Sequence, residues 1–247
     1  MPTPEPNQPF DHFVGDFESG NLNGFHFLVP DKNFNTIIVT NPVRKGKYAL
    51  KNTLRHNDYA SNGYRAELAV YNSANYKNEV YYGFSIMIDS NYVDTAFNVI
   101  CQWQDLPNYI QAKNWQPTPV LHGSSPPVHV AYVNNTLELK MNDNPNSDKE
   151  NFRIGDAVPI NKGLWYDLVF HIFWCDDSSG YIEMWLNGNY VTPFNGTDHK
   201  YYHRNLFTRD GNYFKFGQYR GHINPEHTNI IYLDELKIGS SYSEVAP

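Results

Sequence analysis

The sequence predicts an all-β fold, a two-sheet antiparallel β-jelly roll, on three observations. Aromatic residues make up 16% of its 247 positions, with 19 Tyr and 15 Phe, and such residues suit the pleated, half-buried surface of a strand. Pro and Gly stand at 16 each, enough to punctuate many short elements. Helical periodicity is weak throughout, whereas short runs of alternating polarity recur along the chain and are separated by polar turns.

The expected strands follow in order: Tyr64 to Val70, Val80 to Asp89, Phe97 to Gln104, Val128 to Val133, Thr136 to Met141, Leu164 to Cys175, Tyr181 to Leu186, Tyr190 to Thr192, Tyr213 to Arg220 and Ile230 to Ile238. Asn187-Gly188 joins two of these runs and signals a hairpin, because both turn positions favour positive φ. Asn134-Asn135 reads the same way. No repeat, low-complexity tract or long linker divides the chain. The expectation is a polar, Pro-rich, disordered leader over residues 1–9 and a single domain over residues 10–247.

Net charge and segment lengths exclude several functions. A formal net charge of -7, from 19 Lys+Arg against 26 Asp+Glu, supplies no global basic field for nucleic acid. Two local basic runs, Arg44 to His56 and Lys200 to Arg220, are the places from which a basic cleft would be built. No apolar run is long enough to span a bilayer. Two glycosylation sequons, at Asn134 and Asn195, and the leader point to a secreted protein, expected to be a monomer. Cys101 and Cys175 fall in expected strands, where they either pair or stay as buried thiols.

Alternation assigns faces. In Tyr213-Phe214-Lys215-Phe216-Gly217-Gln218-Tyr219-Arg220, Tyr213, Lys215, Gly217 and Tyr219 share one face, and Phe214 and Phe216 supply the core from the other. Phe97, Val99, Cys101 and Trp103 form an apolar set opposed to Asn98, Gln102 and Gln104. Arg65 and Glu67 share a face opposite Tyr64, Ala66 and Leu68. Three strands with one polar face each make a groove of Arg, Gln, Lys and Tyr. Such a groove suits an extended, anionic uronate polysaccharide.

The chemistry that fits these residues is β-elimination. Arg, Gln or a protonated His neutralises the uronate carboxylate and so acidifies the C5 proton. A Tyr near cations removes that proton, and a Tyr or His returns one to the C4 oxygen. In β-1,4-linked glucuronate the C5 hydrogen and C4 oxygen lie on one ring face, so one Tyr serves both steps. Tyr219, with Lys215 and Arg220 near it in sequence, is the leading candidate; Tyr213 is second. Arg65, Gln102 and Gln104 are the polar contacts, although Arg65 and Glu67 equally suit a plain ion pair. His56 follows Arg55 in a basic loop, and His122 and His129 flank a Gly/Ser/Pro segment. Glu18 and Asp234 lie near the two ends of the chain. Terminal strands of a sandwich often lie side by side, and carboxylates with loop carbonyls make an oxygen site for Ca²⁺. The spaced carboxylates of a glycoside hydrolase are missing. A carbohydrate-binding sandwich without turnover is the rival from another class.

Taken together, Phe17-Glu18-Ser19-Gly20, Arg65-x-Glu67, Tyr82-Gly83-Phe84-Ser85, Gln102-Trp103, Gly163-Leu164-Trp165-Tyr166-Asp167, Trp185-Leu186-Asn187-Gly188, Lys215 to Arg220 and Tyr232-Leu233-Asp234 resemble the polysaccharide lyases of the glucuronan lyase and heparin lyase I type. The resemblance spans nearly the whole domain, and the chain's compact length is more like the glucuronan lyases. It implies a jelly roll of the concanavalin A-like class and eliminative cleavage of a uronate polymer, with lyases of alginate or glycosaminoglycans as the alternative. It also implies Tyr219 as base and acid, Arg65 and a glutamine on the carboxylate, Lys215 near the groove, His56 at the site and a structural Ca²⁺. One departure stands out: many relatives carry His after Gln-Trp, where this chain has Gln104. The role of that His then passes to His56 or His122, or is dispensed with.

Overall fold

A computed structural model describes residues 9–95, 98–106, 125–144, 151–195, 198–221 and 227–247. The strands begin with β1 (Phe13–Gly15), β2 (His26–Leu28), β3 (Thr36–Val39), β4 (Ala49–Leu54), β5 (Tyr64–Ala74) and β6 (Glu79–Ile88). The middle of the chain supplies β7 (Asn98–Asp105), β8 (Val128–Val133), β9 (Thr136–Asn142), β10 (Asn151–Arg153), β11 (Val158–Pro159) and β12 (Trp165–Phe173). It ends with β13 (Tyr181–Leu186), β14 (Asn189–Tyr190), β15 (Tyr201–Tyr202), β16 (Asn212–Arg220) and β17 (Asn229–Gly239). Two single-turn helices, α1 (Lys32–Asn35) and α2 (Tyr242–Val245), complete the described elements.

All pairings between these strands are antiparallel, and they form two sheets. The back sheet runs β14-β13-β12-β6-β17-β4-β3, with β1 beside β17 and β15 beside β13. The front sheet runs β10-β9-β8-β7-β16-β5-β2, with β11 beside β9. The jelly-roll class read from the sequence is the architecture observed. Asn134, Asn135, Asn187 and Gly188 all take positive φ, as the hairpins β8–β9 and β13–β14 require.

Between the sheets lies an aromatic core. Trp103, Phe214 and Phe216 of the front sheet meet Tyr82, Phe84 and Phe170 of the back sheet, all at 0% exposure. Trp103 packs edge-on against Phe170 at 5.2 Å and Phe84 against Phe216 at 5.9 Å. Each such pair adds about 0.5–1.5 kcal/mol beyond the area it buries. Polar atoms also cross the gap. Gln218 donates to the Asn52 backbone and side chain, and Asn52 donates to the Ala66 carbonyl. This is why β4, with the sequence Ala-Leu-Lys-Asn-Thr-Leu, escapes recognition by alternation: its Asn52 faces inward and is satisfied across the sandwich.

The front sheet departs from simple alternation at Ile100. The β7–β8 and β7–β16 registers both shift beside it, the mark of a β-bulge. Ile100 therefore joins the core, Val99 lies opposite Tyr219 and Ala131, and Asn98 turns from the polar face. This corrects the expectation that Val99 and Asn98 keep the parity of Trp103 and Gln102. Phe97 lies outside the described residues. Cys101 and Cys175 are free buried thiols, which settles the choice between pairing and burial.

Candidate active site

The outer face of the front sheet carries the polar side chains that alternation places there. Tyr219 stands directly across from Arg65, Lys215 from Gln102, Tyr213 from Gln104, and Gln102 from His129. The Arg65 guanidinium lies over the Tyr219 ring at 4.0 Å. Arg65 also donates to Glu67 at 3.1 Å, and Gln102 donates to the other Glu67 oxygen. Lys215 Nζ lies 3.8 Å from Glu67. One carboxylate thus ties together three strands and three donors.

Two glycines make this approach feasible. Gly217 adopts φ +135, and a Cβ there would stand 2.2 Å from the Ala66 carbonyl oxygen, a backbone contact with no room to yield. The β7–β16 register shifts across this stretch, between Phe216 and Tyr219. A Cβ on Gly63 would lie 2.4 Å from the Tyr219 ring and 3.0 Å from the Arg65 guanidinium. The 60–63 turn, closed by the Ala60–Gly63 bridge, therefore packs directly onto the Tyr219–Arg65 pair.

Burial gives the site its electrostatics. Glu67, Gln102 and Lys215 are 1–2% exposed, and Arg65 is 8% exposed. Desolvation pulls the Lys215 ammonium down to about 8, with Glu67 opposing the fall and Arg65 reinforcing it. Burial, and then the neighbouring Tyr71 and Glu67, push the Tyr213 phenol up. Tyr213 stacks on Tyr71 at 4.9 Å and is thereby a protonated wall of the site. Burial, and then the charge of Lys140, pull His129 down to about 3, so it stands neutral across from Gln102. Arg65 Nε and His129 Nδ1 are buried with no hydrogen-bond partner among the described residues. Two cations thus share one carboxylate on this face.

The other sequence candidates separate into groups. Gln104 is half-buried on the same face, opposite Tyr213. His56 lines a recess with Arg55, Asn57, Asp58, His227 and Thr228. That recess adjoins the Tyr219 end of β16, because Arg220 donates to the Arg55 carbonyl. His122 lies outside the described residues. Arg220 is a correction: it is not on the polar face but donates to the Leu54, Arg55 and Gly221 carbonyls at 1% exposure. Its parity is that of Phe214 and Phe216, so adjacency to Tyr219 in sequence places it across the sheet, not beside the base.

The two basic runs likewise build no common cleft among the described residues. Arg44 pairs with Asp167, Arg204 with Asp143 and Arg209 with Asp176, while Lys200 sits on the Tyr181 ring. Only Lys215 joins the polar array. The sequence reading missed the reach of Glu67, because its partners on β7 and β16 are remote in sequence. Only register puts His129 against Gln102, which nothing local to the Gly/Ser/Pro segment reveals.

Glu18 and Asp234 meet one loop, as the neighbouring of β1 and β17 leads one to expect. Glu18 accepts from the backbone N–H groups of Lys47 and Tyr48, and Asp234 from those of Arg44, Lys45 and Glu235. Burial pushes Asp234 up to about 6. Both carboxylates are already held by N–H donors of one loop, and they belong to no cluster of three metal-ligating side chains among the described residues, so this pair does not make the oxygen-rich site that Ca²⁺ takes.

The architecture is that of a jelly-roll sandwich whose front sheet brings Tyr219, Arg65, Gln102 and Lys215 together on one polar face. The chain belongs to the polysaccharide lyase family, whose model matches residues 17–237. A search of curated protein sequences finds no match. Among solved structures, the fold is similar to the endo-β-1,4-glucuronan lyase of the fungus Trichoderma reesei, with TM-score 0.69 and 21% identity over 95% of this chain and 98% of that one. It is also similar to a family 7 alginate lyase, A1-II′, with TM-score 0.61 and 13% identity over 91% and 96%. A third is the cellulose-induced protein Cip1, with TM-score 0.60 and 16% identity over 93% and 97%.

Proposed function

We propose that this polysaccharide lyase cleaves a β-1,4-glucuronate polymer by syn β-elimination on the front face. The observation that carries the proposal is Tyr219 against Arg65 at 4.0 Å, within the array that Glu67 extends to Gln102 and Lys215. Arg65 and Gln102 hold the uronate carboxylate and favour the charge that develops as the C5–H bond breaks. Tyr219 takes the C5 proton. The electron pair forms the C4–C5 double bond, the C4–O bond breaks, and the leaving oxygen receives the proton from Tyr219. Lys215, Gln104 and Tyr213 line the path of the chain, with His56 at its Tyr219 end. Glucuronan is favoured over alginate and glycosaminoglycans by the likeness to the glucuronan lyase.

The enzyme acts as a secreted monomer in this reading. Among the described residues no helix is long and apolar enough to cross a membrane. Glu18 and Asp234 tie the 44–48 loop to both chain ends through its backbone N–H groups, and no Ca²⁺ is needed there. A chelator is accordingly expected to leave Tm and kcat unchanged.

The deciding experiment follows ultraviolet absorbance of unsaturated uronate with glucuronan, alginate, heparin, hyaluronan and pectate. A rise with glucuronan supports the proposal. A rise with another polymer reassigns the substrate, and silence with retained binding leaves a carbohydrate-binding sandwich.

A further inference from the structure

We propose that Glu67 is the positioning residue of this site, one buried carboxylate that fixes Arg65, Gln102 and Lys215 as a single array. The inference rests on the lyase reading above and names the group that organises it. Four observations support it. Glu67 is 1% exposed, and both of its oxygens are engaged within the protein. Its two oxygens are divided, one to Gln102 and the other to Arg65 and Lys215. The three partners come from β7, β5 and β16, so no local motif brings them together. And a strand face that needed only to pack would be more stable with aliphatic residues, since buried ion groups seldom recover their desolvation cost.

The consequence is an upper pH limit for the enzyme. Lys215 faces Glu67 and Arg65 on β5, the Tyr213 ring at 5.4 Å on its own strand, and Gln102 on β7, with neutral His129 one strand further on β8. Of these, Glu67 is the group that favours its charged form, while burial and Arg65 oppose it. Glu67 does not touch the sugar in this scheme. It acts through the three donors that do.

Glu67→Gln keeps the size and the hydrogen-bonding reach of the side chain and removes the charge. The expected result is an alkaline limb of kcat/KM that moves toward acid by about one pH unit or more, so that activity at pH 8 falls about fivefold or more. Lys215→Arg, which cannot lose its proton in this range, is expected to abolish that limb both alone and in combination with Glu67→Gln. A second readout needs no turnover: the ¹³Cε resonance of Lys215, identified by its loss in Lys215→Arg, should titrate at lower pH in Glu67→Gln. An unchanged pH profile and an unchanged Lys215 titration in a folded Glu67→Gln protein would overturn the proposal. If Glu67→Gln does not fold, wild type against Lys215→Arg decides: retention of the same alkaline limb in Lys215→Arg overturns it. A wild type inert on every polymer refutes the lyase reading instead, and the resonance titration still tests the Glu67–Lys215 linkage.

Discussion

The two sheets each carry a cluster of charged and aromatic side chains on their outer face, and the clusters differ in how far their hydrogen bonds are satisfied. On the back sheet, His171 meets Glu183 through Nδ1 at 2.5 Å and Glu79 through Nε2 at 2.8 Å, and Tyr181 donates to Glu79. The Tyr81 ring stacks on His171 at 4.0 Å. Beside this cluster, α2 packs Val245 onto Val169 and Trp185. Both nitrogens of the central histidine are used within the protein. On the front sheet one carboxylate serves two cations and an amide, while Arg65 Nε and His129 Nδ1 remain without partners among the described residues. A closed network of this kind stabilises a surface. The front network is left open, with two cations sharing one carboxylate.

This contrast yields a series of tests, and the largest effect belongs to the front face. Tyr219→Phe removes the acid–base group and is expected to lower kcat by about 10²–10⁴-fold, with binding of the polymer and Tm little changed. A loss of affinity at unchanged kcat would break the contrast at its centre. On the back face, His171→Phe leaves Glu183 buried without its partner. Chemical denaturation is expected to show a loss of about 2–3 kcal/mol, reduced from the cost of a fully buried pair because Glu79 is exposed. The value of kcat/KM on the substrate polymer should stay within about twofold, the range expected of a remote surface change; a large drop would make the back cluster part of the function.

A smaller effect concerns a front-sheet carboxylate that no cation opposes. Burial pushes Asp105 up to about 7, against the Thr208 hydroxyl, which lowers it. Folded protein therefore holds the proton more tightly than unfolded chain. The stability is fully present below the unfolded value near ~4 and is lost as pH rises toward 7. Asp105→Asn is expected to raise stability at pH 8 by on the order of 1–2 kcal/mol and to change little at pH 4. Equal Tm shifts at both pH values would show that Asp105 is not the protonated acid.

Much of the site was legible in single strands. Parity alone placed Tyr213, Lys215, Gly217 and Tyr219 together, and Arg65 with Glu67, because the side-chain period of a strand is two. Parity failed where the backbone inserts an extra residue. Ile100 reads as an interruption of a polar face, whereas it marks the bulge that sends Asn98 inward and brings Val99 across from Tyr219. Arg220 was misplaced for a different reason. Charge clusters along the sequence whichever face a side chain takes, and the Arg220 side chain spends its donors on carbonyls of the 54–55 backbone.

Composition and alternation by themselves determined the fold class, the strands of the core, the hairpin turns and the polar faces, since each rests on a local preference of backbone or side chain. Only the tertiary structure decided which polar faces meet. Register joined Tyr219 to Arg65 and Gln102 to His129, the sandwich closed both chain ends over the 44–48 loop, and the pairing of β5, β16 and β7 brought three donors to Glu67. Those contacts link residues far apart in the chain, and their energies depend on burial, which no single strand possesses.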